Sequence, residues 1–518
     1  MARKLCVLVA LFGLSAGPAF AQEVDARAAL LASLKAMGGE NLKTIEIAAA
    51  GSSSLIGQQY SIEGNWPQFE VANYTRAIDF DAKWSREDYT RRQGNFPTFG
   101  RVPMAEQRIT AIVSGQYAWD MRDTTPVPVT RPYLDGVPVN ELRQLELAIT
   151  PHGFLKAALA SKDAKAIKIQ YIGASDFGLS QFGRWVTMVQ FTFLGKYSIV
   201  GTIDDKNLVE LVGTWFPNPV YGDMDYEMRY TEYKDFGGVK FPMLLHTHQG
   251  DPRLNVAHNY YEYRVTSVKP NAPVATIPVP DVVKSAVTPP AKVESQQLAP
   301  GVWLLGGGTH NSLLVEFKEY VAVVDAPNNE ERSLAVIAEA ARLAPKKPVQ
   351  YVINTHHHFD HAGGLREAVA EGAAILTYRD NKRYYDQVLS SRHTVNPDRL
   401  ERTAASRKPS IEVVVDKRVL TDGTQMVELY KIQGSNHADT MLIAYLPKDK
   451  LLVEADMWNP PAQPNAPTPI GVASAEPLNL WNNIQRLKLD VAQIAPLHGR
   501  LVPFADFQRS VGSGPTTH

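Results

Sequence analysis

The stretch Thr355-His356-His357-His358-Phe359-Asp360-His361-Ala362-Gly363-Gly364 packs four imidazoles and one carboxylate into ten residues. Imidazole and carboxylate are the donors of borderline-soft divalent cations, so the chemistry this stretch could do is metal chemistry. His356 and His358 are two apart and point the same way in an extended segment. Asp360 and His361 follow where the chain turns and can face a second point nearby. The arrangement suits two adjacent cations.

Neighbouring residues say what must hold this stretch in place. Val349-Gln350-Tyr351-Val352-Ile353-Asn354 is an apolar, β-branched run after Pro345 and Pro348, and it reads as a buried strand. Leu365-Arg366-Glu367-Ala368-Val369-Ala370 reads as a helix start. The histidines therefore sit in a turn at the C-terminal end of a strand, where α/β folds place ligands. A surface histidine run or a tag has no such flanks.

Three more donors follow strands in the same way. Met426 to Ile432 leads to Gly434-Ser435-Asn436-His437. Met441 to Leu446 and Leu451 to Ala455 form a hairpin around Pro447-Lys448-Asp449-Lys450, with Asp456 at its end. Val491 to Pro496 ends at Leu497-His498-Gly499. Upstream, Val302 to Leu305, Ser312 to Phe317 and Tyr320 to Val324 read as strands, the last ending at Asp325. Glu331 to Leu343 is an amphipathic helix stopped by Pro345.

The pattern His-x-His-x-Asp-His, completed by His437, Asp456 and His498 in order, resembles the metallo-β-lactamase superfamily over about residues 293–511. The resemblance implies an αββα sandwich and two zinc ions. His356, His358 and His437 would hold one; Asp360, His361 and His498 would hold the other; Asp456 would bridge them. It implies a metal-bridging hydroxide attacking a carbonyl, with Asp360 as the catalytic residue that orients it. An aspartate bridge is similar to glyoxalase II and the lactonases, so the expected activity is hydrolysis of an ester, lactone or thioester. The alternatives are a β-lactam hydrolase of the same fold, a mononuclear-iron dioxygenase, or an envelope binding or carrier protein with a vestigial metal domain. His357 falls at an unassigned position and is expected to support a ligand or to be exposed. Asp325 matches an acidic position that supports the first cluster by hydrogen bonds; as a residue before Pro327 it also reads as a turn aspartate. His310, in Gly306-Gly307-Gly308-Thr309-His310-Asn311, reads as a substrate contact or as a solvent-facing residue of a flexible hairpin. Asn459 to Pro477 reads as a lid or pocket wall.

Residues 1–21 read as a signal peptide, with Arg3 and Lys4, an apolar run from Leu5 to Ala16, and Ala19-Phe20-Ala21 as the cleavage site. The run is too short to span a membrane, and the expected location is periplasmic or secreted. Removing 21 of 518 residues leaves 497, and the charge moves from −1 to −3 with the loss of Arg3 and Lys4. The chain's one cysteine, Cys6, leaves with them, which excludes cysteine metal ligands. The near-neutral balance argues against a nucleic-acid footprint, and the expected partner is a small-molecule substrate. No later run is long and apolar enough for a transmembrane segment.

Residues 22–268 read as a strand-rich N-terminal domain, opened by a helix from Asp25 to Met37. Strands are expected at Trp185 to Phe193, Ser198 to Ile203, Leu208 to Trp215, Tyr226 to Tyr233 and Val239 to His248. A helix followed by a meander is similar to the curved-sheet, lipoprotein-carrier-like domains of bacterial envelopes. His246 and His248 share a strand face and could bind metal, but with no third ligand nearby in sequence they read as solvated polar residues. Residues 269–292 carry Pro270, Pro273, Pro278, Pro280, Pro289 and Pro290 and form a linker. Residues 293–511 are the catalytic domain and residues 512–518 a tail. The fold class is α+β, an αββα sandwich preceded by a mainly antiparallel β domain.

Overall fold

The structure is a computed structural model, and it describes residues 21–94, 105–130, 137–170, 184–251, 259–403, 408–460 and 475–512. The expected signal peptide up to Phe20, most of the expected lid (461–474) and the tail beyond Gly512 lie outside the described residues.

Strands with β-branched and aromatic residues at every second position dominate the first half. Their burial alternates, as along Gly222–Thr231, and they pair antiparallel into a fourteen-stranded sheet. Three helices cover one face: Ala26–Ala36, Val139–Ala148 and Pro151–Ala160. Asp25 caps the first, its side chain accepting from Ala28 N at 3.1 Å. Phe154 lies against Gly201, where a Cβ would come within 2.4 Å of the ring. The expected strand Val239 to His248 is two strands, Val239–Phe241 and Leu244–Gly250. Pro242 lies between them, and proline cannot donate to a ladder. His246 and His248 do not face solvent as expected. Their Nε2 atoms are 2.7 Å apart, His246 Nδ1 is 2.9 Å from Glu262, and His246 is 7% exposed.

Residues 269–292 lie against this sheet. Val274, Ile277 and Val279 pack on a cluster of Trp84, Ile112, Trp119 and Val283, and Asp281–Lys284 is one helical turn.

The second half is an αββα sandwich. A seven-stranded sheet carries Val321–Val324 and Val349–Ile353 side by side and parallel at its centre. Every residue of Val321–Val324 is buried, as a strand covered on both faces requires. A six-stranded sheet carries Met426–Lys431, Leu442–Leu446, Leu451–Glu454 and Gln493–Pro496. Between the sheets pack Leu313, Val324, Ile353, Leu429, Val453 and Ala495. Helices Glu330–Leu343 and Leu365–Glu371 cover the first sheet, and Ala475–Leu487 and Phe504–Ser510 the second. Among the described residues, no helix is long and apolar enough to cross a membrane.

Candidate metal centre

All the loops that follow the strand ends named above meet at one edge of the sandwich. Val349–Ile353 runs out into His356, His357 and His358, and one helical turn, Phe359–Ala362, carries Asp360 and His361. Close packing holds that turn down. A Cβ on Gly364 would lie 1.6 Å from Ser333 Oγ, so this position accepts no side chain. Asp325 and Asp456, each at the end of a strand, have φ of 57° and 61°. The left-handed conformation is sparsely populated by residues other than glycine and is tolerated best by aspartate and asparagine. Here it turns both carboxylates inward.

The first cluster is His356, His358 and His437. His358 Nε2 donates to the Gln59 carbonyl at 2.9 Å. A carbonyl only accepts, so the hydrogen is on Nε2 and the lone pair is on Nδ1, which faces His437 Nε2 at 2.9 Å. Thr355 Oγ1 gives its own proton to Asp325 at 2.7 Å and so accepts from His356 Nδ1 at 3.1 Å. That leaves the His356 Nε2 lone pair pointing into the cluster, buried and without a hydrogen-bond partner among the described residues.

The second cluster is His310, Asp360, His361 and His498. Asp325 accepts from His361 Nδ1 at 2.7 Å, which aims Nε2 at His498 Nε2, 3.0 Å away. Asp360 Oδ2 lies 3.8 Å from His361 Nε2 and 3.9 Å from His498 Nε2. Its other oxygen accepts from Gln58 Nε2 at 2.7 Å. Asp456 stands between the clusters. Its Oδ2 is 2.8 Å from His361, 3.4 Å from His356 and 3.4 Å from His437, and its Oδ1 is 3.1 Å from His498.

Charge sorts these groups. Burial would raise the carboxyls, but His361 and His310 outweigh it at Asp360 and hold it at about 2. His437, His361 and His498 outweigh it at Asp456, which is held well below the carboxylate range. Burial would lower His361, yet Asp456, Asp360 and Asp325 hold it well above the imidazole range. His356 is pushed far down by burial and by the imidazoles of His361 and His437. A proton held among carboxylates at His361, beside an orphaned lone pair at His356, marks the place where a cation would do the same electrostatic work. The donor set is nitrogen and oxygen with no sulfur, and it fits divalent zinc.

One alternative falls away at each of two residues. His357 is not exposed: it is fully buried, with Nε2 on the Gln59 carbonyl at 3.0 Å and Nδ1 3.0 Å from Thr440 Oγ1. His310 is not a solvent-facing hairpin residue: it is 2% exposed, with Nε2 3.0 Å from Asp360 Oδ2 and Nδ1 2.7 Å from Thr309 Oγ1. Arg332 fixes its loop by donating to the carbonyls of Leu305, Gly306 and His310. Asn354 donates to the His356 carbonyl at 2.7 Å. Arg332 and Asn354 were not singled out from the sequence, and neither were Gln58 and Gln59. The position of Asn354 between strand and motif was the one available signal.

Residues 305–495 match the model of the metallo-beta-lactamase superfamily. A linear primary-alkylsulfatase of Pseudomonas sp. (strain ATCC 19151) is 24% identical over 221 residues, 36% of this chain and 41% of the relative. A linear primary-alkylsulfatase of Pseudomonas sp. is 32% identical over 100 residues, 19% of this chain and 14% of the relative. The matches thus span less than half of each relative. Among solved structures, a metallo-beta-lactamase from Pontibacter korlensis is 19% identical, with a TM-score of 0.33, covering 43% of this chain and 98% of that one. Rubredoxin oxygen:oxidoreductase from Desulfovibrio gigas is 15% identical, with a TM-score of 0.31, covering 42% of this chain and 61% of that one. With its strand-end donor loops, its αββα sandwich and the match over residues 305–495, the C-terminal region of this chain belongs to the metallo-beta-lactamase superfamily.

Proposed function

We propose that the protein is a binuclear zinc hydrolase acting on an ester, lactone or thioester, exported to the periplasm or beyond. The observation that carries this reading is Asp456, whose two oxygens face imidazoles of both clusters. His356, His358 and His437 would hold one zinc, and Asp360, His361 and His498 the other, with Asp456 shared. Bound zinc supplies Lewis acidity toward a substrate oxygen and a water acidified to a pKa of about 7.

The chain's own groups do the rest. Asp360 orients the attacking water and relays its proton to the leaving group. His310 Nε2 donates to the ionised Asp360 Oδ2, 3.0 Å away, and holds it in place. Burial keeps His310 below the ordinary imidazole range, and with its hydrogen on Nε2 its lone pair is on Nδ1, toward Thr309 Oγ1. The exposed edge of the centre is at His498, whose side chain is 20% exposed, and substrate enters from there.

The two alkylsulfatase relatives favour a second reading, hydrolysis of a sulfate ester at the same centre. A panel of chromogenic carboxylic esters, lactones, thioesters, sulfate esters, phosphodiesters and a cephalosporin separates the readings. Turnover of a carboxylic ester, lactone or thioester that a chelator abolishes supports the first. Turnover confined to the sulfate ester selects the second. Turnover of nothing, by protein loaded with zinc, contradicts both.

A further inference from the structure

The metal centre is not built by the sandwich alone. Between the N-terminal strands Thr44–Ser54 and Gln68–Asp79, the chain leaves the sheet and lays residues 57–60 across the histidine motif. Five contacts fix this strap. Gly57 accepts from Phe359 N at 3.2 Å. Gln59 accepts through one carbonyl from His357 at 3.0 Å and from His358 at 2.9 Å. The Tyr60 carbonyl accepts from Asp439 N at 3.0 Å, and the Tyr60 hydroxyl donates to the Ser435 carbonyl at 2.9 Å, in the loop that carries His437. Gly57 has φ +72°, and a Cβ there would fall 2.2 Å from the Phe359 ring, so only glycine lets the strap sit this low.

Gln58 reaches farthest in. Its amide donates to Asp360 Oδ1 at 2.7 Å. The opposite oxygen, Oδ2, is the one turned toward His361, His498 and His310. A carboxylate is free to rotate about its terminal torsion, which is broad and roughly two-fold. A donor on one oxygen fixes which oxygen faces the imidazoles. Groups that hold a ligand in this way typically matter for metal affinity.

We propose that Gln58 is a positioning residue for the second metal, so that the N-terminal domain is a working part of the centre and not a passenger. This rests on the two-metal reading above. It also makes a site-specific demand. The Gln59 contact to the first cluster is made by the main chain, so changing the side chain at position 58 should leave the first site alone.

The test is zinc titration of the full-length metal-free protein against a chromophoric chelator, for the wild type, Gln58→Ala and Gln58→Glu. Glu keeps the volume, loses the donor and sets a like charge against Asp360. Both variants should weaken one of the two sites by about 10–100-fold and leave the other within about twofold. Thermal melting of the metal-free proteins checks that the fold is kept. Two unchanged sites in both variants would overturn the inference and leave the two-metal reading standing. Equal weakening of both sites would also overturn it, since that is what a general loosening of the strap would do. A wild type that binds no zinc would remove the inference and the reading beneath it together.

Discussion

The two clusters share an edge of one sandwich and are built to opposite specifications. His356, His358 and His437 are all imidazole and all buried, sealed beneath the strap from the N-terminal sheet. The other cluster contains a carboxylate, Asp360, sets His310 3.0 Å from that carboxylate, and opens to solvent at His498. A closed, neutral donor set suits holding an ion in place; an open set with ionised oxygen suits handling substrate and protons. The difference teaches that the two sites should fail differently.

Asp456 is where they are tied together, and the largest effect is expected there. Asp456→Asn keeps volume and removes charge. It should release at least one zinc and lower turnover by about 10–100-fold or more, judging from the losses that accompany mere ligand supports. Metal content and turnover measured on one preparation check this.

His498→Ala should separate the clusters. One zinc should remain, at the sealed set, while turnover falls by on the order of 10-fold or more, because the open set has lost a ligand. If the ion that remains is shown by spectroscopy to sit in the open set, the division of roles is wrong.

His357→Ala is a weaker perturbation of another kind. The ring is not aimed at either cluster but ties the strap to Thr440. Both metals should stay, and unfolding by denaturant should show a loss of about 1–3 kcal/mol from unpaired buried groups. Loss of zinc instead would mean that the middle histidine is a ligand.

Glu367 provides the contrast outside the centre. Asp360 and Asp456 are buried among imidazoles and are held ionised, whereas Glu367 is buried without such company. Burial, reinforced by Asp398, pushes it up to about 8 from 4.5. The folded state therefore keeps a proton that the unfolded state releases. Stability from this group is unimpaired below pH 4.5 and is lost progressively as pH rises toward 8. Glu367→Gln should be neutral near pH 4.5 and stabilising by on the order of 3 kcal/mol at pH 7. Melting temperatures across that window decide, and a pH-independent difference would contradict the account.

What could be read in the sequence was what travels with residue type over short spacing. The strand before His356, the glycines after His361, and the order of His437, Asp456 and His498 behind their own strands are all local patterns. The contacts that finish the site are not. Gln58 meets Asp360 across 302 positions, and Gln59 contributes a carbonyl that any residue would offer. No periodicity marks either. The burial of His246, His310 and His357 was missed for a related reason: an imidazole looks the same in a solvated strand and in a packed one, and only its partners decide. The strands Ala374–Tyr378 and Ser410–Val414 went unread because short apolar runs do not by themselves distinguish strand from helix.

The central claim is that two different ions' worth of ligands are present and that zinc fills them. Elemental analysis of the purified full-length protein tests it most directly. The account predicts about two zinc per chain, falling to about one in His498→Ala. One iron per chain, or a metal content that His498→Ala and Asp456→Asn leave unchanged, would contradict it.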